Sequence, residues 1–380
     1  MKKQYAALPI FLCILILCSS FTAFAENSGQ IVLTLEEAQR RALENSLEYS
    51  RQDDKINDSL ENYYDTAEST DKAYGKASSG FYDYFMKPVN LETSLQSSVN
   101  DVKSARFKKE DMKRVSDYNV LKAFINIKKA QYNLEDAKNN SSIKSKEYEA
   151  AKVKYGMDLI KKSELRQAEA AYNNTVDAVT TALKSLQKEM QTLNRYLGRE
   201  LTAYNLQLVI DLPDIDITTI NLDELRKDYI SSSEDLYNLS LKAELAKRKY
   251  DLTKERYDEF VVRLSVQNSR DQMEEAFDDA FKEYESARKS FEDATIDLDI
   301  SLSTSYDALK SAAESIADLQ EEIELSKSDA EKARIQYDMG LTTKINMEKA
   351  IMELDTLNNK LKSSIADLNL QYEGLMMYSE

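Results

Sequence analysis

Two short stretches decide how this chain folds: Tyr155-Gly156-Met157-Asp158-Leu159, followed by Ser163-Glu164-Leu165 and Ala168, and Tyr337-Asp338-Met339-Gly340-Leu341, followed by Ile345-Asn346-Met347 and Ala350. They stand 182 positions apart (157 to 339) and align without a gap, so the same helix-turn-helix occurs twice. Behind each turn an apolar side chain recurs every seven residues: Leu165, Tyr172, Val179, Leu186 and Leu193 in the first copy, Met347, Leu354, Leu361, Leu368 and Leu375 in the second. Such spacing, sustained over four heptads, keeps one seam against a partner helix and imposes coiled-coil packing with a left-handed supercoil. Those ten residues are the expected coil core. The expected fold class is all-α, with long antiparallel coiled-coil hairpins in two tandem repeats and minimal β-structure.

Composition points the same way. Only 7 Gly and 3 Pro occur in 380 residues, too few breakers for several ordinary domains, so the helices are long. A hydrophobic share of 42% beside a charged share of 31% suits helices that bury one stripe and solvate the rest. The net charge of -16 opposes a general nucleic-acid role, which needs a basic stripe.

Residues 1–25 read as a secretory signal: Lys2 and Lys3, an apolar run from Ala6 to about Cys18, and Ala23-Phe24-Ala25 as the small-x-small cleavage site. A second reading makes Cys18 a lipidated residue, against which the large Leu17 before it counts. No later segment approaches the ~20 apolar residues of a membrane helix. Cys13 and Cys18 both lie in the signal and the chain has no His, so the expected mature protein has no disulfide, thiolate nucleophile, Cys/His zinc site or histidine base. Carboxylate pairs such as Asp53-Asp54, Asp278-Asp279 and Glu321-Glu322 read as solvated helix faces in a chain with 67 acidic residues. No phosphate loop or EF-hand loop is present. The sequence therefore implies no enzyme, no cofactor and no metal.

Along the chain, Gln30-Ile31-Val32-Leu33 is strand-like, and Thr34 caps a helix with Glu37 at the capping-box position. That helix is expected to reach about Thr70. Between about 71 and 98 the pattern breaks, with Gly75, Gly80 and Pro88 among the aromatics Tyr74, Phe81, Tyr82, Tyr84 and Phe85. A long helix is expected from about Asn100 to Tyr155, with a soft spot at Asn139-Asn140-Ser141-Ser142. Ser163 is placed to cap the returning helix, which stops at Gly198. Residues 201–220, with Pro213 and Asp214-Ile215-Asp216-Ile217, form the linker between a first repeat at 26–200 and a second at 221–380. In the second repeat Asn221-Leu222-Asp223-Glu224 opens a helix to about Glu259, and Phe260 to Gln267 is a strand-like break. A long helix then carries Phe277, Tyr284, Phe291 and Leu298 at seven-residue spacing, with Phe281, Leu302 and Leu309 on the neighbouring stripe.

The opening Leu33-Thr34-Leu35-Glu36-Glu37-Ala38, the closing Leu193-Asn194-Arg195-Tyr196-Leu197-Gly198 of the first repeat, and the paired turns resemble the TolC family, the outer-membrane efflux proteins. That resemblance implies a homotrimer closing a twelve-helix α-barrel tube in the cell envelope, at the outer membrane, as a conduit for efflux or secretion. It also implies docking of a periplasmic-type adaptor of an inner-membrane export pump at the two turns. By position the docking tips are Met157, Asp158 and Leu159 in the first copy and Met339, Gly340 and Leu341 in the second. Asp158 departs from the glycine expected there; aspartate tolerates the left-handed backbone better than most residues. The family also inserts membrane strands between its short and long helices. Two strands and a turn need at least ~20 residues of alternating character, and neither break supplies them, so a reduced or missing barrel is expected. Residues near Phe81 are candidates for contact with a membrane interface, or for ordinary packing at the bundle end. A rival reading from the residues alone is an extracytoplasmic coiled-coil scaffold without channel activity.

Overall fold

The computed structural model describes residues 31–262 and 267–379. The signal segment, Gln30 and residues 263–266 of the expected strand-like break lie outside the described residues. In chain order the elements are β1 (Ile31–Thr34), α1 (Leu35–Asn45), α2 (Leu47–Tyr74), α3 (Phe81–Gly156), α4 (Lys162–Tyr196), β2 (Leu206–Val209), a 3-10 turn (Ile217–Thr219), α5 (Leu222–Ser232), α6 (Glu234–Phe260), α7 (Gln267–Asp338) and α8 (Lys344–Leu375). The all-α expectation is met: helices dominate, and among the described residues the one sheet is the parallel pair β1 and β2, in the register Ile31 to Leu206 through Thr34 to Val209.

The duplication reaches further than the turns. Each expected N-terminal helix is two helices, an 11-residue segment (α1, α5) and a longer one (α2, α6), divided at Ser46 in the first copy and Ser233 in the second. Ser46 adopts an extended backbone and its side chain accepts from the Tyr49 N–H at 3.2 Å, which makes it the N-cap of α2. Thr34 caps α1 by accepting from the Glu37 N–H at 3.3 Å. The Glu37 carboxylate does not close the reciprocal box, because the Arg40 and Arg41 guanidiniums bind it instead. Asn221 caps α5, accepting from the Asp223 and Glu224 N–H groups. Asp216 accepts from the N–H and hydroxyl of Thr218, so this linker aspartate caps the 3-10 turn.

Three boundaries differ from the sequence expectation. The long helix begins at Phe81, not near Asn100, and carries Pro88 inside it. Asn139 to Ser142 is continuous helix. Ser163 is not the cap of α4; Lys161 holds that position and makes no side-chain capping bond.

Two compact units form, and each draws on both sequence repeats. Of the described residues, the first comprises 31–45, 119–213 and 315–370. In it Leu33, Ala38 and Ala42 pack with Val120, Phe124 and Ile127 of α3, Leu186, Met190, Leu193 and Leu197 at the end of the returning helix, and Leu206 and Leu208 of β2. Each large side chain removed from water there contributes roughly 1.5–3 kcal/mol. Leu121 and Ile125, on the adjoining face of α3, pack with Ala366 and Leu370 of α8. Gly198 has φ +64°, which ends the helix, and a Cβ there would stand 2.2 Å from Asn45 Oδ1. Asn45 occupies that space to donate to the Tyr196 carbonyl at 3.1 Å, tying the ends of α1 and α4.

Of the described residues, the second unit comprises 46–118, 214–262, 267–314 and 371–379. The Gln52 side chain donates to the Ala105 carbonyl at 2.9 Å, Ser104 donates to Asn238 at 2.6 Å, and Phe107 stacks on Tyr237 at 4.2 Å, joining α2, α3 and α6. The Tyr229 hydroxyl lies 3.1 Å from the carbonyls of Gly374 and Leu375 and holds the end of α8. On α7 the expected aromatic stripe is only half-buried: Phe277 and Tyr284 lean on Tyr250 of α6, and Phe281 is exposed. The buried stripe beside it runs through Met273, Ala280 and Ala287, then Thr295, Leu302 and Leu309 at seven-residue steps; Ile316, Ile323 and Ala330 are its residues within the first unit.

Candidate functional site

Each hairpin turn ends its long helix in the same hydrogen-bonded form. In the first, the Leu159 N–H donates to the Lys154 carbonyl at 2.9 Å and the Asp158 N–H to Tyr155 at 3.0 Å; in the second, the Leu341 N–H donates to Gln336 at 2.7 Å and the Gly340 N–H to Tyr337 at 2.9 Å. These bonds across six and four residues define a Schellman cap, whose penultimate residue must be left-handed. Asp158 has φ 59° and Gly340 has φ 74°, so the aspartate takes the glycine's backbone conformation.

A Schellman cap normally buries an apolar contact of its last residue. Here the apolar residues point outward: Met157 is 64% exposed, Leu159 68%, Met339 66% and Leu341 70%. The same residue types at equivalent positions of both copies are left in water. Cross-links between α3 and α8 bring the two tips to one end of the first unit. Lys146 pairs with Glu348 at 2.8 Å, and Lys349 pairs with Glu147. Lys146 stands 11 residues before Met157, about 16 Å of helix, and Glu348 stands 7 residues after Leu341, about 10 Å. Burial pushes the Glu147 carboxyl up, but bonds from Lys144 and Lys349 outweigh it and hold the group below its ordinary range.

Burial along the two heptad stripes is graded. Leu186, Leu193, Leu368 and Leu375 are buried, whereas Leu165, Tyr172, Val179, Met347, Leu354 and Leu361, nearer the tips, are half-exposed. Within one chain the tip-proximal halves of both stripes are incompletely covered.

In the second unit the breaks are short. Six residues, 75–80, connect α2 to α3, and six, 261–266, connect α6 to α7, against the ~20 that a pair of spanning strands requires. At this end Phe81 and Tyr84 pack edge to face on Phe260, at 5.9 and 5.8 Å, and the Arg256 guanidinium lies over the Tyr84 and Phe260 rings. Pro88 has no N–H to give the Tyr84 carbonyl four residues back, a bond whose loss normally breaks a helix. Arg256 donates to that carbonyl at 2.9 Å and to Phe85 O at 3.3 Å. This replacement is why the helix continues through the proline. Nothing local to residues 81–88 announces a cation 168 positions later (88 to 256).

The carboxylate pairs behave as solvated faces. Asp53 pairs with Lys109 at 2.5 Å, Asp279 lies 3.7 Å from Lys282, and Glu321 and Glu322 are exposed. Among the described residues no group of three or more His, Cys, Asp or Glu side chains could hold a metal ion, and no helix is long and apolar enough to cross a membrane.

No protein-family model and no curated protein sequence matches the chain. Solved structures do. The chain is similar to CusC, a protein that forms a transmembrane channel (12% identity, TM-score 0.63, covering 90% of this chain and 91% of that one). It is similar to the outer membrane protein VceC from Vibrio cholerae (12%, 0.62, 90% and 96%) and to the outer-membrane channel OprN (12%, 0.64, 90% and 89%). At this identity the likeness is one of fold, and the fold of this chain is that of the TolC-like outer-membrane channels.

Proposed function

We propose that this protein is a TolC-like conduit component of the cell envelope, whose copies associate as a trimeric helical tube and whose hairpin tips dock an adaptor of an export pump. The observation that carries this reading is the matched pair of outward-facing Met and Leu residues on two caps of the same hydrogen-bonded form. Exposing them costs burial energy at both tips, roughly 1.5–3 kcal/mol for each side chain that could have been covered. A contiguous exposed apolar patch on a rigid scaffold marks an interaction site. The half-covered heptad stripes behind the tips support association of copies, which would complete seams that one chain leaves open. A wide acidic helix surface suits a hydrated lumen and a solvated exterior.

The six-residue connections favour a second reading, a coiled-coil envelope scaffold that spaces partners without conducting. Sedimentation equilibrium on the full chain separates the two. A trimer that dissociates when Leu354 and Leu361 are replaced by Asp supports the conduit; a stable monomer insensitive to them supports the scaffold. Export by cells carrying the double variant Leu159→Glu/Leu341→Glu tests docking. Loss of export with helicity and oligomer size unchanged is expected, and normal export would mean that the turns only reverse the chain.

A further inference from the structure

The two tips match in backbone and in apolar residues but not in charge. The eleven residues from 152 to 162 hold Lys152, Lys154, Lys161 and Lys162 against Asp158 alone; the equivalent residues from 334 to 344 hold Arg334 and Lys344 against Asp338. Both tips are thus net cationic in a chain of net charge -16, and the first is the more so. Lys154, Lys161 and Lys162 are exposed and make no ion pair with a described residue, while Lys152 is held by Glu149 at 2.5 Å. Folding does not require these charges. Lys161 occupies an N-cap position, where Ser, Thr, Asp or Asn would accept a hydrogen bond, and Lys161 and Lys162 set positive charge against the positive end of the α4 dipole. The second copy shows the ordinary solution: Thr343 accepts from the Asn346 N–H at 3.3 Å ahead of α8. The first copy thus lacks the capping bond its counterpart makes and presents three ammonium groups without an ion-pair partner among the described residues around Met157 and Leu159.

Resting on the conduit reading above, we propose that the first hairpin tip docks an acidic surface of a protein partner, with Met157 and Leu159 seated in an apolar groove and Lys154, Lys161 and Lys162 opposite carboxylates on its rim. The second tip, with fewer charges and the glycine turn, supplies apolar contact and close backbone approach. Complementary rim charge sets encounter rate and orientation, while the apolar pair supplies most of the holding energy. Partner choice thus resides mainly in the first copy. An uncharged or basic partner surface would be rejected at this tip even if its groove fitted.

The test uses the full chain in its own cells, with a photo-crosslinking amino acid replacing Ile160. The expected result is a protein adduct whose crosslinked peptide carries net negative charge. In the Lys154→Glu/Lys161→Glu/Lys162→Glu variant its yield should fall on the order of tenfold or more. Reversal of the partner's acidic residues to Lys should restore it. Leu159→Glu/Leu341→Glu should abolish the adduct. An adduct with a peptide that is not acidic, or one indifferent to the lysine reversal, overturns the charge inference and leaves docking intact. No protein adduct together with normal export in both variants overturns docking itself. Flotation with vesicles of phosphatidylglycerol and phosphatidylcholine is the third arm. Binding that the lysine reversal abolishes, without any protein adduct, would assign the tip to an anionic lipid surface and overturn the proposal.

Discussion

At the scale of single residues, the left-handed positions are the sharpest tests because each repeat controls the other. Asp158 and Gly340 share one backbone conformation, which costs a side-chain-bearing residue about 1–2 kcal/mol, less for aspartate. Asp158→Gly should therefore leave stability unchanged or raise it slightly, while Gly340→Ala should lower it by about 1 kcal/mol. Urea denaturation of the two variants measures both, and a destabilised Asp158→Gly would show that the aspartate side chain holds the first turn by some other contact. Gly198→Ala should be worse than Gly340→Ala. Nothing surrounds Gly340, whereas a methyl at 198 would displace the Asn45 side chain that binds the Tyr196 carbonyl. Glu147→Gln has a pH signature. A carboxyl held below its ordinary range contributes stability that is present above its unfolded pKa, about 4.3, and is lost as pH falls through the lower folded value. The variant should be less stable than the parent at pH 7, by about 1 kcal/mol or less for such a partly exposed cluster, and should match it near pH 2.

At the scale of elements, continuity of α3 through Pro88 depends on a side chain from α6. Arg256→Met removes the donor and orphans the Tyr84 carbonyl; Pro88→Ala restores the N–H that the helix would otherwise use. The two substitutions should therefore be coupled. Arg256→Met should cost about 1–2 kcal/mol more in the parent chain than in one that already carries Pro88→Ala. Equal costs would mean that Arg256 acts through its packing on Tyr84 and Phe260 alone. The division of each N-terminal helix at Ser46 and Ser233 belongs to the same scale. One extended residue after an 11-residue helix interrupts the helical backbone, and Ser46→Ala should fray the start of α2 at about 1 kcal/mol. Circular dichroism during urea denaturation measures that loss.

At the scale of the whole molecule, the graded burial of the heptad stripes separates what one chain stabilises from what association would. Leu186→Ala removes a buried side chain and should cost about 2–5 kcal/mol at any protein concentration. Leu361 is half-exposed in one chain, so Leu361→Ala should cost less when dilute and approach that range only where copies associate. Thermal denaturation across a wide range of concentration distinguishes them, and parallel behaviour of the two variants would count against a seam completed by a second copy.

The sequence by itself determined the helix class, the duplication and the two reversals, because heptad spacing and a turn that needs one left-handed residue are local properties of the chain. Gly198 as a stop, Thr34 and Asn221 as caps and the short strand before α1 were legible for the same reason. The exposed Met and Leu at the tips were legible as positions; their exposure was decided by what the fold leaves uncovered. The start of α3 at Phe81 was hidden, since the partner of its proline lies on another helix. The compact units were hidden too, because each gathers segments from both repeats. Which stripe of α7 is deepest depended on the neighbouring helices: the conspicuous aromatics lean on Tyr250 at the margin, while Met273, Ala280 and Leu309 beside them are buried. Periodicity along one chain specifies which residues share a face of a helix. Only packing between helices decides which face is covered, how closely, and by what.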